Sequence, residues 1–348
     1  MTLQDILSKY QDNKTKVIAE ISANHNLKKN TCYDLIDIAA ESGADGVKFQ
    51  TYTADTLTIN SIQKDFEIPK ESPWAIYKNQ HNLYKQAYTP WEWFPDLIDY
   101  SKKRKLIPFS SVFDESSVDF MENLQILLYK LASVEINHIP LIKKIAQTGK
   151  PLIISLGVSS EADLQKALNA FFEINPSGEV AILHCDTSYP APIENSNLSQ
   201  IIHLQDNFDC LVGLSDHTKS LVTGSCAVMY GAQIIEKHIT IETSNESPDS
   251  FFSITQDLLA EYIINIRTAE KLIGKKEFRS KNGEENLALR RSTYPCLPIK
   301  KGETVKVNHL KIVRPGFSLP PEMMQSVIGK RANRNIEIGD RIALSDFS

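Results

Sequence analysis

No two cysteines in this 348-residue chain are spaced C-x-x-C, and the five present (Cys32, Cys185, Cys210, Cys226 and Cys296) are scattered and odd in number. That excludes a disulfide frame or a cysteine-built zinc cluster and points to buried thiols in a reducing compartment. Basic charge is also scarce: 38 Lys and Arg stand against 43 Asp and Glu, a net charge of −5. A general nucleic-acid binder shows the opposite balance, so nucleic acid is not expected as a partner. Any anionic ligand must then be met by local Lys, Arg or metal charge. No apolar run approaches membrane-spanning length, and the opening "MTLQDILSKYQDNKTK" is too polar for a signal peptide. A cytoplasmic protein without membrane partners is expected. The glycine-rich dinucleotide fingerprint is missing after the first apolar run as well.

What is present is an ordinary globular composition, 42% hydrophobic and 23% charged, with room for one large domain and a small one. Eight short apolar runs alternate with amphipathic segments: "KVIAEIS" (16–22), "DGVKFQ" (45–50), "LIPFSS" (106–111), "LLYKLAS" (127–133), "PLIISLG" (151–157), "VAILHC" (180–185), "LVGLS" (211–215) and "AQIIEKHI" (232–239). One amphipathic segment is "TCYDLIDIAAESG", in which Leu35, Ile36, Ile38 and Ala39 share a face and Gly43 stops the helix. This alternation predicts an α/β fold, a (β/α)8 TIM barrel over 1–274. Residues 51–95 form a long insertion that holds all three tryptophans, Trp74, Trp91 and Trp93. Both a lid or substrate wall at the barrel mouth and a satellite cluster on its outside fit that composition. A charged linker, 275–285, leads to a small β-rich domain over 286–348. There "IKKGETV" (299–305) and "IEIGDRI" (336–342) repeat one phrase, which suggests internal pseudo-symmetry.

In a barrel of this kind functional side chains sit at the C-terminal ends of strands. Read that way, the chain offers Glu20, Lys48 and Gln50, then Ser111, Lys130, Ser133 and Glu135, then Ser155, Tyr189, Ser215, His217, Glu236 and His238. The segment "IIEKHIT" is the sharpest puzzle, since a buried strand has little reason to carry Glu236, Lys237 and His238. Strands seven and eight are neighbours about 4.8 Å apart, so His217 and His238 can converge on one divalent cation. The absence of a third His or Cys suits Mn, Mg or Co with open positions, acting as a Lewis acid. Two hydrogen-bonded core histidines are the plainer alternative. Lys48 and Lys130 call for counter-charge, which a phosphorylated or carboxylated ligand would bring, with the serine hydroxyls completing a cradle. A Lys130–Glu135 ion pair or a Schiff-base lysine are the other readings. Glu20 and Glu135 are candidates for general acid/base work or for gripping sugar hydroxyls. Asp249, in "SPDSFFS", either meets a polyhydroxylated substrate or forms a turn. Arg314, in "VRPGFSLPP", has no local acidic partner in sequence.

The motifs "AEISANHN", "GADGVKFQ", "YKLASVEI", "GLSDHT", "EKHIT" and the late "RPG" resemble, in order and over nearly the whole chain, the sialic acid synthase family. "LYKQAYTPWEWFPDL", "FSSVFD", "YPAPI" and "SPDSFFS" look like its pseudaminic acid branch, as does Ser22, where the N-acetylneuraminate branch usually has glycine. The resemblance implies condensation of phosphoenolpyruvate with an amino-sugar aldehyde, 2,4-diacetamido-2,4,6-trideoxy-L-altrose, to give pseudaminic acid and phosphate by metal-assisted C–O cleavage. N-acetylneuraminate or legionaminate synthesis is the alternative within the family. It implies a metal on His217 and His238, and phosphoenolpyruvate on Lys48, Ser111, Lys130, Ser133, Ser155 and Ser215. The sugar falls to Gln50, Glu135, Tyr189 and Asp249, with Glu20 near the reacting centre. It further implies that the small domain is antifreeze-like (SAF) and crosses to the other subunit of a domain-swapped homodimer, carrying Arg314 to the partner's site. Outside the family, a lysine aldolase with Lys130 as imine former and a carbohydrate- or ice-binding protein on an inert barrel are the competing expectations.

Overall fold

Apolar runs of five to eight residues are too short for helices and too hydrophobic for loops, and here they become parallel strands covered on their outer face by helices. A computed structural model describes residue 3 and residues 14–242, 247–274 and 284–348. Contacts divide the chain into two units, Met1–Gly274 and Lys275–Ser348. The first contains strands β1 (Lys16–Glu20), β2 (Gly46–Thr51), β3 (Ile107–Val112) and β4 (Tyr129–Leu131). It continues with β5 (Leu152–Leu156), β6 (Val180–Cys185), β7 (Leu211–Asp216) and β8 (Ile234–His238). They pair in sequence order, and β8 returns to β1, closing a parallel barrel. The expected (β/α)8 architecture is the one found.

Among the described residues, one helix after each strand covers it: α1 (Lys29–Glu41), α2 (Phe94–Lys103), α3 (Glu115–Asn123), α4 (Ile139–Gln147), α5 (Glu161–Ile174), α6 (Ser199–Asn207), α7 (Thr223–Met229) and α8 (Gln256–Ile273). Leu35, Ile36, Ile38 and Ala39 form the buried stripe of α1, and Gly43 follows it with a φ of +88°.

Strand periodicity sorts the side chains into two populations. Val17, Ala19, Val47, Phe49, Tyr129, Ile154, Val212, Leu214 and Ile235 pack outward into the layer shared with the helices. Ile18, Ile107, Phe109, Leu128, Ile153, Ala181, Leu183 and Ile234 form the barrel interior, together with Leu3. Two residues further along each strand the same inward parity delivers polar groups: Glu20 after Ile18, Ser111 after Phe109, Lys130 after Leu128, Ser155 after Ile153, and Glu236 then His238 after Ile234. One glycine matters for this geometry. A Cβ on Gly213 would lie 2.1 Å from the Ile234 carbonyl oxygen, so only glycine lets β7 approach β8 this closely.

The second unit pairs β9 (Ser292–Pro295) antiparallel to β10 (Leu310–Val313). Its repeated phrases meet: Ile299 and Ile336 exchange both backbone hydrogen bonds at 2.9 Å. Gly302 and Gly339 share positive φ, +81° and +83°, and the Glu303 and Asp340 carboxylates each accept the N–H three residues earlier at 3.0 Å. Ile299, Val305, Ile336 and Ile342 lie in one core cluster. Of the expected linker, 275–283 lies outside the described residues.

Candidate active site

At the C-terminal end of the barrel the strands bring four charged groups together out of water. Glu20 is fully buried at the end of β1. Its Oε2 lies 2.9 Å from Lys48 Nζ, and its Oε1 accepts from Gln50 Nε2 at 3.2 Å. Lys48 also donates to Ser111 Oγ at 2.9 Å and lies 3.3 Å from Glu236 Oε1. Glu236 accepts from Ser215 Oγ at 3.1 Å. Lys130 donates to Ser155 Oγ at 2.6 Å and to the Leu131 carbonyl at 3.2 Å, so its direct partner is Ser155 and not Glu135. Ser133 lies beside Cys185, whose thiol burial pushes up to about 11. Each of the two ammonium groups donates to a serine hydroxyl, a donor set that could hold an anion.

Two carboxylates compete for Lys48, and their environments push them apart. Burial, reinforced by the charge of Glu236, raises Glu20 to about 7. Glu236 is buried too, but Lys130 and Lys48 outweigh that and hold it below the usual carboxylate range. Burial works against the Lys48 ammonium, yet Glu20 and Glu236 keep its pKa raised. Lys130 has weaker support, and burial brings it down to about 8. The cluster therefore holds one firm carboxylate, one firm ammonium, and two groups that change charge near neutral pH.

Beside this cluster stand the two histidines. β7 and β8 pair with Ser215 opposite Glu236 and Asp216 opposite Lys237, so the next step puts His217 alongside His238. The rings are 5.4 Å apart between centroids and inclined at 63°. His217 Nδ1 lies 2.5 Å from the Asp186 carbonyl, which can only accept. The proton is therefore on Nδ1, and Nε2 keeps its lone pair. His238 Nδ1 is buried without a hydrogen-bond partner among the described residues. Burial lowers both pKa values, His238 most strongly, so both rings are neutral. Neutral imidazoles with an available lone pair and an orphaned ring nitrogen fit a divalent cation. Among the described residues no cluster of three or more His, Cys, Asp or Glu could enclose one. A cation held here would keep positions for water or substrate.

A second, less polar wall rises next to the histidines. The Tyr189 ring lies 4.4 Å from His217, and Phe252 is 4.9 Å from both Tyr189 and His238. Trp74 comes from the insertion, packs 5.9 Å from Tyr189 and 5.8 Å from Phe251, and donates its indole N–H to the Pro248 carbonyl at 2.7 Å. Trp91 donates instead to the Tyr52 carbonyl, and Trp91 and Trp93 pack on the barrel core. The insertion is thus both things the sequence allowed, a wall at Trp74 and a satellite cluster at Trp91 and Trp93. Asp249 accepts a short hydrogen bond from Ser22 Oγ and one from the Ala23 N–H at 3.3 Å, and burial raises its pKa. Ser22 also accepts from Gln50 at 3.0 Å, joining the wall to the lysine cluster.

Two expected residues have other surroundings. Glu135 is half-buried after β4, with His138 and Tyr84 as its electrostatic neighbours. Arg314 is exposed at the end of β10 in the other unit, and among the described residues no carboxylate pairs with it. The sequence named Glu236 among the strand-end groups and Ser22 as a branch marker without a role for either, and it singled out neither the Asp186 carbonyl nor Trp74 from the other tryptophans. For Glu236 a signal existed: it shares inward parity with His238.

Residues 35–278 match the model of the NeuB family. The chain is 37% identical over 337 residues to a pseudaminic acid synthase of Campylobacter jejuni, covering 97% of each protein. It is 33% identical over 326 residues to an N,N'-diacetyllegionaminic acid synthase of the same species, covering 92% of this chain and 97% of the relative. Among solved structures it superposes on the spore coat polysaccharide biosynthesis protein SpsE of Bacillus subtilis with a TM-score of 0.63 at 32% identity, covering 96% of this chain and 95% of that one.

Proposed function

The chain belongs to the NeuB family, and on that premise we propose that it condenses phosphoenolpyruvate with 2,4-diacetamido-2,4,6-trideoxy-L-altrose to give pseudaminic acid and phosphate. The observation that carries this reading is the buried cradle of Lys48 and Lys130, with Ser111, Ser155 and Ser215, set directly beside His217 and His238. Lys48 and Lys130 balance the phosphate and carboxylate of phosphoenolpyruvate, and we assign Ser133 to the same ligand. His217 and His238 would hold a divalent cation (Mn, Mg or Co), which when bound supplies Lewis-acid polarisation of the sugar aldehyde. Holding the two reactants together supplies about 7–11 kcal/mol of the barrier reduction.

In this reaction a bond forms between C3 of phosphoenolpyruvate and the aldehyde carbon, water adds at C2, and the C2–O bond to phosphate breaks. Glu20 changes charge near neutrality, so it takes the proton lost by the adding water and returns it to the former aldehyde oxygen, while the second water proton leaves with phosphate as the C2 ketone forms. Gln50, Tyr189, Asp249 and Glu135 are the residues we assign to the sugar. Three features support the trideoxy sugar over N-acetylmannosamine or the legionaminate precursor. They are the higher identity to the pseudaminic acid synthase, the Trp74–Tyr189–Phe252 wall for a methyl group, and Ser22. Ser22 holds a φ of 51°, where glycine is favoured, yet its hydroxyl links Gln50 to Asp249. Release of phosphate that requires both phosphoenolpyruvate and the trideoxy sugar, and stops on chelation, is the expected result. Turnover that survives metal stripping contradicts it.

We further assign residues 286–348 as an antifreeze-like domain that crosses to a second subunit, bringing Arg314 to the partner's sugar. Eleven Lys and Arg against five Asp and Glu over 286–348, in a chain that is acidic overall, support docking on an acidic counterpart. Arg314→Ala and His238→Ala subunits, each inactive alone, should restore activity when mixed and re-assembled. A mixture that stays inactive speaks against the exchange.

A further inference from the structure

The outward faces of β7 and β8 carry a second charged pair, one that the reaction does not use. Asp216 and Lys237 sit opposite one another in the strand register, immediately before His217 and His238. They point away from the barrel interior, and they are 2% and 1% exposed. Lys237 Nζ lies 2.9 Å from Asp216 Oδ2. The same oxygen accepts the hydroxyl of Tyr262, on α8, at 2.7 Å, and the ammonium lies 5.1 Å from the centre of the Tyr262 ring. A Cβ on Gly224 would lie 2.3 Å from that hydroxyl, so α7 admits Tyr262 only because glycine stands there.

Around these groups the strand–helix layer is hydrocarbon: Val212, Leu214, Ile235, Ala227, Leu259 and Ile266. An ion pair in such a layer is a poor source of stability, because apolar groups of similar volume usually do as well or better. Its contacts show what else it accomplishes. Asp216 Oδ1 accepts the backbone N–H of Thr218 at 2.9 Å, and Lys237 donates to the Thr218 carbonyl in a short hydrogen bond. The residue that follows His217 is thus gripped at both its N–H and its C=O, once from its own strand and once from the strand that carries His238. Thr218 Oγ1 also meets Thr223 Oγ1 at 3.1 Å, tying the same segment to the start of α7.

We propose that Asp216, Lys237 and Tyr262 form a clamp of positioning residues that fixes His217 and His238 at the separation needed to share a divalent cation. The inference rests on the metal-binding reading given above. Lys237 is the link that makes the two histidines one unit: slippage of β8 against β7 would break its bond to Thr218 before the rings could move apart.

Mn²⁺ affinity, measured from the electron paramagnetic resonance of free Mn²⁺, tests the clamp together with thermal unfolding of the metal-free protein. Asp216→Leu/Lys237→Met with Tyr262→Phe replaces the clamp by hydrocarbon. Its metal-free form should melt at or above the wild-type temperature, yet bind Mn²⁺ about tenfold or more weakly, the usual cost of losing groups that orient metal ligands. Tyr262→Phe alone keeps the ion pair and should weaken Mn²⁺ by about threefold, so it decides the matter if the triple variant does not fold. Folded variants that bind Mn²⁺ as tightly as wild type overturn the clamp while leaving the active-site reading intact. Wild-type protein that does not bind Mn²⁺ overturns both.

Discussion

His217 and His238 face one another from adjacent strands with ring centroids 5.4 Å apart, and only the first has a backbone carbonyl to fix its tautomer. The orphaned nitrogen of His238 is a cost in the metal-free protein. His238→Ala should therefore leave the melting temperature of the metal-free protein unchanged or raised while turnover is abolished. Mn²⁺ should raise the wild-type melting temperature and leave that of the variant where it is. Calorimetric scans with and without Mn²⁺ check both statements. A His238→Ala barrel that unfolds at room temperature would show that the ring is a core element instead.

Glu20 gives a dependence of stability on pH whose sign is fixed. A carboxyl with a raised folded-state pKa favours folding while protonated, so its contribution is complete below about 4.5 and is lost as pH rises through about 7. Glu20→Gln removes that dependence. The stability of wild type relative to Glu20→Gln should fall by about 1–3 kcal/mol between pH 4.5 and pH 8 in urea titrations. Two parallel stability profiles would show that Glu20 has an ordinary pKa.

Much of this site was legible in the sequence, because strand parity and strand order are both sequence properties. Ile18 to Glu20, Leu128 to Lys130 and Ile234 to His238 keep one face, and neighbouring strands bring His217 to His238. What could not be read were contacts between residues whose strands are not neighbours. Lys48 on β2 reaches Glu236 on β8 past β1, and Ser22 meets Asp249 from a loop 227 residues away. Such contacts depend on the stagger of the closed barrel, not on periodicity. Trp74 differs from Trp91 and Trp93 only in where the insertion folds back, which no local pattern encodes.

Ser22→Gly separates backbone preference from recognition. Glycine relieves a left-handed residue, worth about 1–2 kcal/mol, and loses hydrogen bonds of similar worth, so stability should change by less than about 1 kcal/mol. The KM for the sugar should nevertheless rise about tenfold, since Asp249 and Gln50 lose their common partner. An unchanged sugar KM would remove Ser22 from the binding site.

Lys130 should appear in the pH profile of kcat/KM for phosphoenolpyruvate. Its ammonium binds an anion only while protonated, so the profile should fall on the alkaline side near pH 8. Lys130→Arg should move that limb upward by more than one pH unit, and it cannot form an imine. Trapping of a pyruvate adduct on the wild-type lysine by borohydride would favour the aldolase chemistry instead.

The most direct measurement is a competition in one vessel. Limiting phosphoenolpyruvate and Mn²⁺ are offered together with equal amounts of the trideoxy-altrose, the legionaminate precursor and N-acetylmannosamine, and the products are resolved by chromatography and mass. The ratio of products reports the ratio of kcat/KM values directly. Pseudaminic acid as the dominant product, with one phosphate released per molecule, is the predicted result. Dominant N-acetylneuraminate or legionaminate would contradict the assignment of the sugar, and consumption of phosphoenolpyruvate without any nonulosonic acid would contradict the account as a whole.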